Sequence, residues 1–367
     1  MPAMRRLSLV VALALLALCP AAATAARKAP CTGDPSAVRR LNLTVGGQST
    51  YGLYALPAST PRGLVVFGHG YSYNVDAWRA HMVRAATKDG LVAVTMNYRG
   101  LTDLPKDQTG FERSRGWPVK AGSEDLVAAG LYFDRVCGGF DRRFLLGVSM
   151  GGNSTGMAAA LKAKTLDGKP LFDYWIGVEG VWNLTELAVQ ARAAGATNPF
   201  AQQAYDDIVA ENGGPPEQRP QNYAERTVVN RASDIAASGL RGIVLVHAID
   251  DGQASYDQAQ QMERAMRGVG VPTDLYSVGR KAPGDTPDTV LDGNQAMAGH
   301  APEWSTHHIV LDTGFDALSA LAAESGPPPC NRDFATDGQV GTTPDPKVAA
   351  PGCPAKPTFS GRSGRGR

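Results

Sequence analysis

Short runs of continuous apolar residues, each closing on glycine or a small polar cluster, alternate along this chain with segments of helical spacing. The runs are GLVVFGHG from Gly63, LVAVTMNY from Leu91, RFLLGVS from Arg143, YWIGVEG from Tyr174, GIVLVHAI from Gly242 and TDLYSVG from Thr273. A strand that is apolar at every position must be covered on both faces. The runs therefore predict a mostly parallel sheet between two layers of helix. Helical spacing falls at Trp78–Lys88, with Gly90 just beyond it, and at 125–136, 150–164, 255–267 and 303–323. Before the first run, AVRRLNLTV and TYGLYAL alternate apolar and polar residues around a GGQ turn, which predicts a hairpin. With 367 residues, 43% of them apolar, the chain can bury one large core or two modest ones. A formal net charge of +1 gives no electrostatic case for nucleic acid or an anionic membrane surface.

Three stretches depart from this rhythm. Residues 1–26 carry a basic start, the apolar run Leu7–Leu18 and the small residues Ala23-Thr24-Ala25, the layout of a cleaved export signal. Cleavage is expected near Ala25 or Ala26, leaving a secreted chain with no stable membrane span, because the apolar run falls short of about 20 residues. Leu18 stands where lipid attachment to Cys19 would want a small residue. Of five cysteines, Cys31, Cys137, Cys330 and Cys353 remain, which suggests two disulfides of open pairing. None has C-x-x-C spacing. Residues 181–240 hold helical segments and the loop ENGGPPEQRP without a strand, which predicts a small helical cap inside a catalytic domain at 27–325. Residues 326–367 are rich in Pro and Gly and are expected to be extended or without order unless their cysteines pin them.

Chemistry concentrates at Gly147-Val148-Ser149-Met150-Gly151. A G-x-S-x-G spelling that follows a strand and opens a helix suits a serine held on a strained turn as a nucleophile. A serine hydroxyl needs a base, and the base needs an orienting acid, in the chain order Ser, Asp or Glu, His. Asp251, three positions after Ala248 at the end of its strand, is the favoured acid; Asp250 is its close rival and Glu179 a weaker one. His300, after Gly299, is the favoured base, with His307 and His308 as rivals. Trp304, His308, Leu311, Phe315 and Leu318 share a helical face, so a core role for His308 is the plainer account. His247 reads as structural and His69 as a loop-ordering residue. Backbone N–H groups of Met150 and Tyr71 are the expected oxyanion donors, since each lies where a strand gives way to a glycine-flanked turn. Six histidines show no H-E-x-x-H, so no metal site is expected.

The order GHGY, MNYRG, GVSMGG, DD and GH across residues 38–323 resembles the α/β-hydrolase fold, with a more distant similarity to hydrolases of the prolyl oligopeptidase type. The resemblance implies an eight-stranded, mostly parallel sheet with its site at the carboxyl ends of the strands. It also implies a covalent acyl-enzyme: Ser149 attacks, His300 shuttles the proton, Asp251 orients the imidazole, and no cofactor takes part. The expected reaction is hydrolysis of a small-molecule or polymeric carboxylic ester. A serine peptidase and a non-catalytic binding protein of the same fold are the alternatives. Trp182 and Tyr71 are candidates for a substrate pocket or for plain packing.

Overall fold

The computed structural model describes residues 31–106, 113–249, 251–278, 307–325, 328–336 and 345–348. Strands β1 (Arg39–Val45) and β2 (Gln48–Ala55) form the expected hairpin around Gly46 and Gly47, both at positive φ. Then follow β3 (Gly63–Gly68), a 3-10 turn (Val75–Trp78), α1 (Arg79–Lys88), β4 (Leu91–Met96), the short pair β5 (Thr102–Leu104) and β6 (Arg113–Arg115), and α2 (Val119–Cys137). The centre of the molecule is β7 (Arg143–Val148), α3 (Met150–Ala160) and β8 (Tyr174–Val178). Four helices come next: α4 (Leu184–Gly195), α5 (Pro199–Asn212), α6 (Pro220–Arg226) and α7 (Ala232–Ser238). The chain then returns to the sheet through β9 (Gly242–Ala248), α8 (Tyr256–Gly268), β10 (Thr273–Val278), α9 (His307–Ala323), β11 (Asp333–Thr336) and β12 (Asp345–Val348).

The main sheet runs β1-β2-β4-β3-β7-β8-β9-β10-β11-β12. The expectation of eight strands is thereby corrected to ten: the first eight are those foreseen, and the C-terminal segment adds two. Pairing from β4 through β3, β7, β8, β9 and β10 to β11 is parallel throughout; the hairpin, β2–β4 and β11–β12 are antiparallel. The physical reason for the continuous apolar runs is visible residue by residue. In β3, Leu64 and Val66 join the core under α2, α3 and α8, while Val65 and Phe67 join the core under α1 and α9. β9 divides likewise, with Ile243 and Leu245 on one side and Val244, Val246 and Ala248 on the other. Leu311, Phe315 and Leu318 of α9 are buried, as their spacing implied.

Asp274 shows why the segment after residue 326 is ordered where it is described. Its buried carboxylate accepts the backbone N–H groups of Cys330 and Arg332 at 2.9 Å each and pairs with the Arg332 guanidinium. Cys330 is disulfide-bonded, and a second disulfide joins Cys31 to Cys137 at the end of α2. Residues 1–30, which include the expected export signal, lie outside the described residues. No described helix is long and apolar enough to cross a membrane.

Candidate active site

Ser149 is the residue between β7 and α3, with φ 55° and ψ −122°. A side chain in that region of backbone space is strained by about 1–3 kcal/mol, so the surroundings must hold it there. They do so through its own main chain. Its N–H donates to the Val178 carbonyl at 3.0 Å, and its carbonyl accepts from Gly152 at 2.9 Å and Val181 at 3.2 Å. Glycine is required on both sides for steric reasons. A Cβ on Gly147 would run into the Gly151 carbonyl and the Thr155 hydroxyl, and one on Gly151 into the Gly68 carbonyl. The end of β3 thus lies directly on the first turn of α3. Every residue of α3 is buried, which is why this helix is made of small and apolar residues.

The loop after β3 passes beside the serine: a Cβ on Gly70 would stand 3.6 Å from the Ser149 Cβ. Neither the Tyr71 nor the Met150 N–H has a hydrogen-bond acceptor among the described residues. His69 holds the inner side of this loop. It is fully buried, its ring lies 4.1 Å from that of Tyr98 at 15°, and its Nδ1 donates to the Gly70 carbonyl at 3.1 Å. Burial drives its pKa down to about 4, so the ring is neutral at physiological pH. The outer side of the loop is pinned by β6: Ser114 N–H donates to the Ser72 carbonyl and its hydroxyl to the Tyr73 carbonyl. Ser72, at φ 63°, takes up the bend.

Asp251 stands just beyond the carboxyl end of β9 and is 6% exposed. One carboxylate oxygen accepts N–H groups of Gln253 and Ala254, at 2.8 and 3.2 Å; the other lies 3.2 Å from His247 Nε2. His247 also donates through Nε2 to the Ala254 carbonyl at 2.7 Å, so that nitrogen carries the proton. Burial by itself would lower its pKa. The hydrogen bond and charge of Asp251, with the charge of Glu179, outweigh burial and raise it. Glu179, the other acid considered, is buried at φ 44° just past β8, its N–H on the Val246 carbonyl. The structure therefore brings Asp251, Glu179 and His247 together, a pairing with His247 that sequence reasoning missed. Asp250 and His300 lie outside the described residues. His307 and His308 open α9. Trp182 is fully buried with its ring 5.6 Å from that of His247, and the Tyr71 ring packs against Trp117 and Phe200. Among the described residues no cluster of three His, Cys, Asp or Glu could hold a metal ion.

Strand order, crossover pattern and strained strand-to-helix turn are those of the α/β-hydrolase fold. A solved puromycin hydrolase superposes with a TM-score of 0.52 at 19% identity, covering 78% of this chain and 39% of that one. An acylaminoacyl peptidase of Pyrococcus horikoshii gives a TM-score of 0.50 at 17% identity, covering 66% and 36%. This chain therefore spans well under half the length of these two solved proteins. No protein-family model matches the chain, and no curated protein matches it in sequence.

Proposed function

We propose that this protein is a serine hydrolase that forms an acyl-enzyme on Ser149 and cleaves carboxylic esters. The observation that carries the reading is Ser149 itself: a side chain at positive φ 55°, at the start of a buried helix, with the loop after β3 passing beside it. In the proposed reaction the Ser149 Oγ bonds to the acyl carbon as its proton passes to an imidazole. The negative oxygen rests on the Tyr71 and Met150 N–H groups. The C–O bond to the alcohol then breaks and the alcohol takes the proton. Water repeats the sequence to release the acid. His300 is the proposed base and Asp251 the acid that orients it.

A second reading, cleavage of a peptide or amide at the same serine, is favoured by the matched structures, which are named as a peptidase and a puromycin hydrolase. The composition of residues 1–26 and the Cys31–Cys137 disulfide support export as part of the proposal. The test is labelling with a fluorophosphonate, with the adduct located by mass spectrometry, beside turnover of p-nitrophenyl esters and peptidyl amides. We expect an adduct on Ser149. In Ser149→Ala the adduct should vanish and turnover should fall by about 10⁴- to 10⁶-fold. A folded chain that takes no adduct would refute the hydrolase. Turnover of amides without esters would select the second reading.

A further inference from the structure

The helical segment between β8 and β9 reaches the loop beside Ser149. Helix α5 is sharply defined: Asn198 caps its start by accepting N–H groups of Phe200 and Ala201, Pro199 follows, and Gly213 ends it at φ 70°. Its residues Phe200, Gln203 and Asp207 fall at i, i+3 and i+7 on one face. All three meet the side chain of Tyr71. Phe200 packs edge-on against the ring with centroids 5.5 Å apart, and Gln203 Nε2 donates to the phenol oxygen at 3.3 Å. The phenol donates to Asp207 Oδ2 at 2.6 Å. The same carboxylate accepts the Gly116 N–H at 3.2 Å and the Arg115 guanidinium at 2.9 Å. On its other side the Tyr71 ring meets Trp117, with centroids 5.1 Å apart. Burial and the bond to Asp207 both raise the Tyr71 pKa, so the phenol remains a donor.

We propose that Asp207 is a positioning residue for the oxyanion donor: through the Tyr71 phenol it latches helix α5 to the loop that passes beside Ser149 and carries the proposed Tyr71 donor. The proposal rests on the hydrolase reading above. Its logic is geometric. The His69 bond to the Gly70 carbonyl holds the peptide that carries the Tyr71 N–H from one side and β6 holds the loop from the other; the Tyr71 side chain adds a third anchor. That side chain reaches out of the loop to the cap. Gly116 and Arg115 are drawn to the same carboxylate, so one acid ties together the oxyanion loop, the β6 turn and the cap. The acyl group would enter a site whose electrophilic wall is set by the cap.

The test uses the full chain, with active sites titrated by fluorophosphonate and kcat expressed per titrated site. Tyr71→Phe keeps the backbone N–H and the ring packing and loses the phenol's bonds to Asp207 and Gln203; Asp207→Ala loses the acceptor. Because a misplaced donor acts on the transition state, each should lower kcat by about 10- to 100-fold while KM stays within about twofold. The double variant should be no worse than the worse single one, because both act through one contact. Asp207→Asn, which keeps an acceptor oxygen, should recover part of the loss. A purely structural role would instead reduce the titratable fraction and leave kcat per site unchanged, and that result would overturn the latch. Additive losses in the double variant would overturn it as well. Wild-type protein that takes no adduct at Ser149 would overturn the hydrolase reading itself, an outcome distinct from an active wild type matched by Tyr71→Phe.

Discussion

His69 and His247 stand at matching places in the molecule and behave in opposite ways. Each comes at the carboxyl end of a parallel strand, β3 or β9, and each is fully buried. The preceding sequences, GLVVFG and GIVLV, are nearly interchangeable. His69 meets a tyrosine ring and a carbonyl, and burial holds it neutral with a pKa of about 4. His247 is subject to the same burial, yet the Asp251 carboxylate beside it, with Glu179 behind, raises its pKa. What differs is the loop that returns over the ring. After β3 the chain turns away toward α1; after β9 it folds back so that Asp251 and the Ala254 carbonyl close on Nε2. The charge of a buried histidine is thus set by its lid, not by the strand that carries it.

The comparison breaks most severely if the carboxylate is taken away. Asp251→Ala should strip the carboxylate from His247 and from the Gln253 and Ala254 N–H groups, and cost about 3 kcal/mol of stability by urea unfolding. It should also lower turnover per folded molecule by about 10³- to 10⁴-fold if Asp251 orients the base. Stability unchanged within error would show that the pair contributes nothing. On the His69 side the largest effect is steric. Gly151→Ala would drive a methyl group into the Gly68 carbonyl and toward that of His69, where backbone cannot yield, so a loss near 3 kcal/mol is expected. A variant as stable as wild type would mean that this contact can relax.

The pH dependence sharpens the contrast further. His69 has a folded pKa near 4 against an ordinary 6.5. Below pH 6.5 the unfolded chain gains a proton that the folded chain refuses, so this contribution to stability is lost as pH falls from 6.5 toward 4. His247, raised in the folded state, has the reverse sign: its contribution is complete below pH 6.5 and lost as pH rises through the folded value. The Tm difference between wild type and His69→Asn should therefore change on the acid side, and that for His247→Asn above pH 6.5. Parallel curves for both variants would erase the distinction. The smallest expected effect is Tyr98→Phe, which keeps the ring stack and loses a 3.3 Å hydrogen bond to the His69 carbonyl, worth about 0.5–1.5 kcal/mol in urea unfolding. A larger loss would mean that the phenol, rather than the ring, holds His69.

Much of the architecture can be read from local patterns, for reasons these residues make plain. Strands β3, β7 and β9 are apolar at nearly every position because both faces are covered, and no other local arrangement demands such runs in so short a span. Gly147 and Gly151 are legible because a steric exclusion removes every other residue type. Contacts between distant segments have no such signature. Asp207 lies 136 residues from Tyr71, and its own surroundings, QQAYDDIVAEN, read as an ordinary solvated helix. The segment after residue 326 was equally opaque, because the buried carboxylate that receives it, Asp274, sits inside an unremarkable strand.

The sequence by itself determined the order of strands and helices and the strained serine turn, because apolar period and the absence of side chains act over a few residues. Only the tertiary structure decided which groups face one another. It put Asp251 against His247, bound the Tyr71 phenol to helix α5 through Asp207, and added two strands to the sheet edge. Each of these pairings satisfies a buried polar group with a partner from elsewhere in the chain, and it is chain return, not local composition, that supplies such partners.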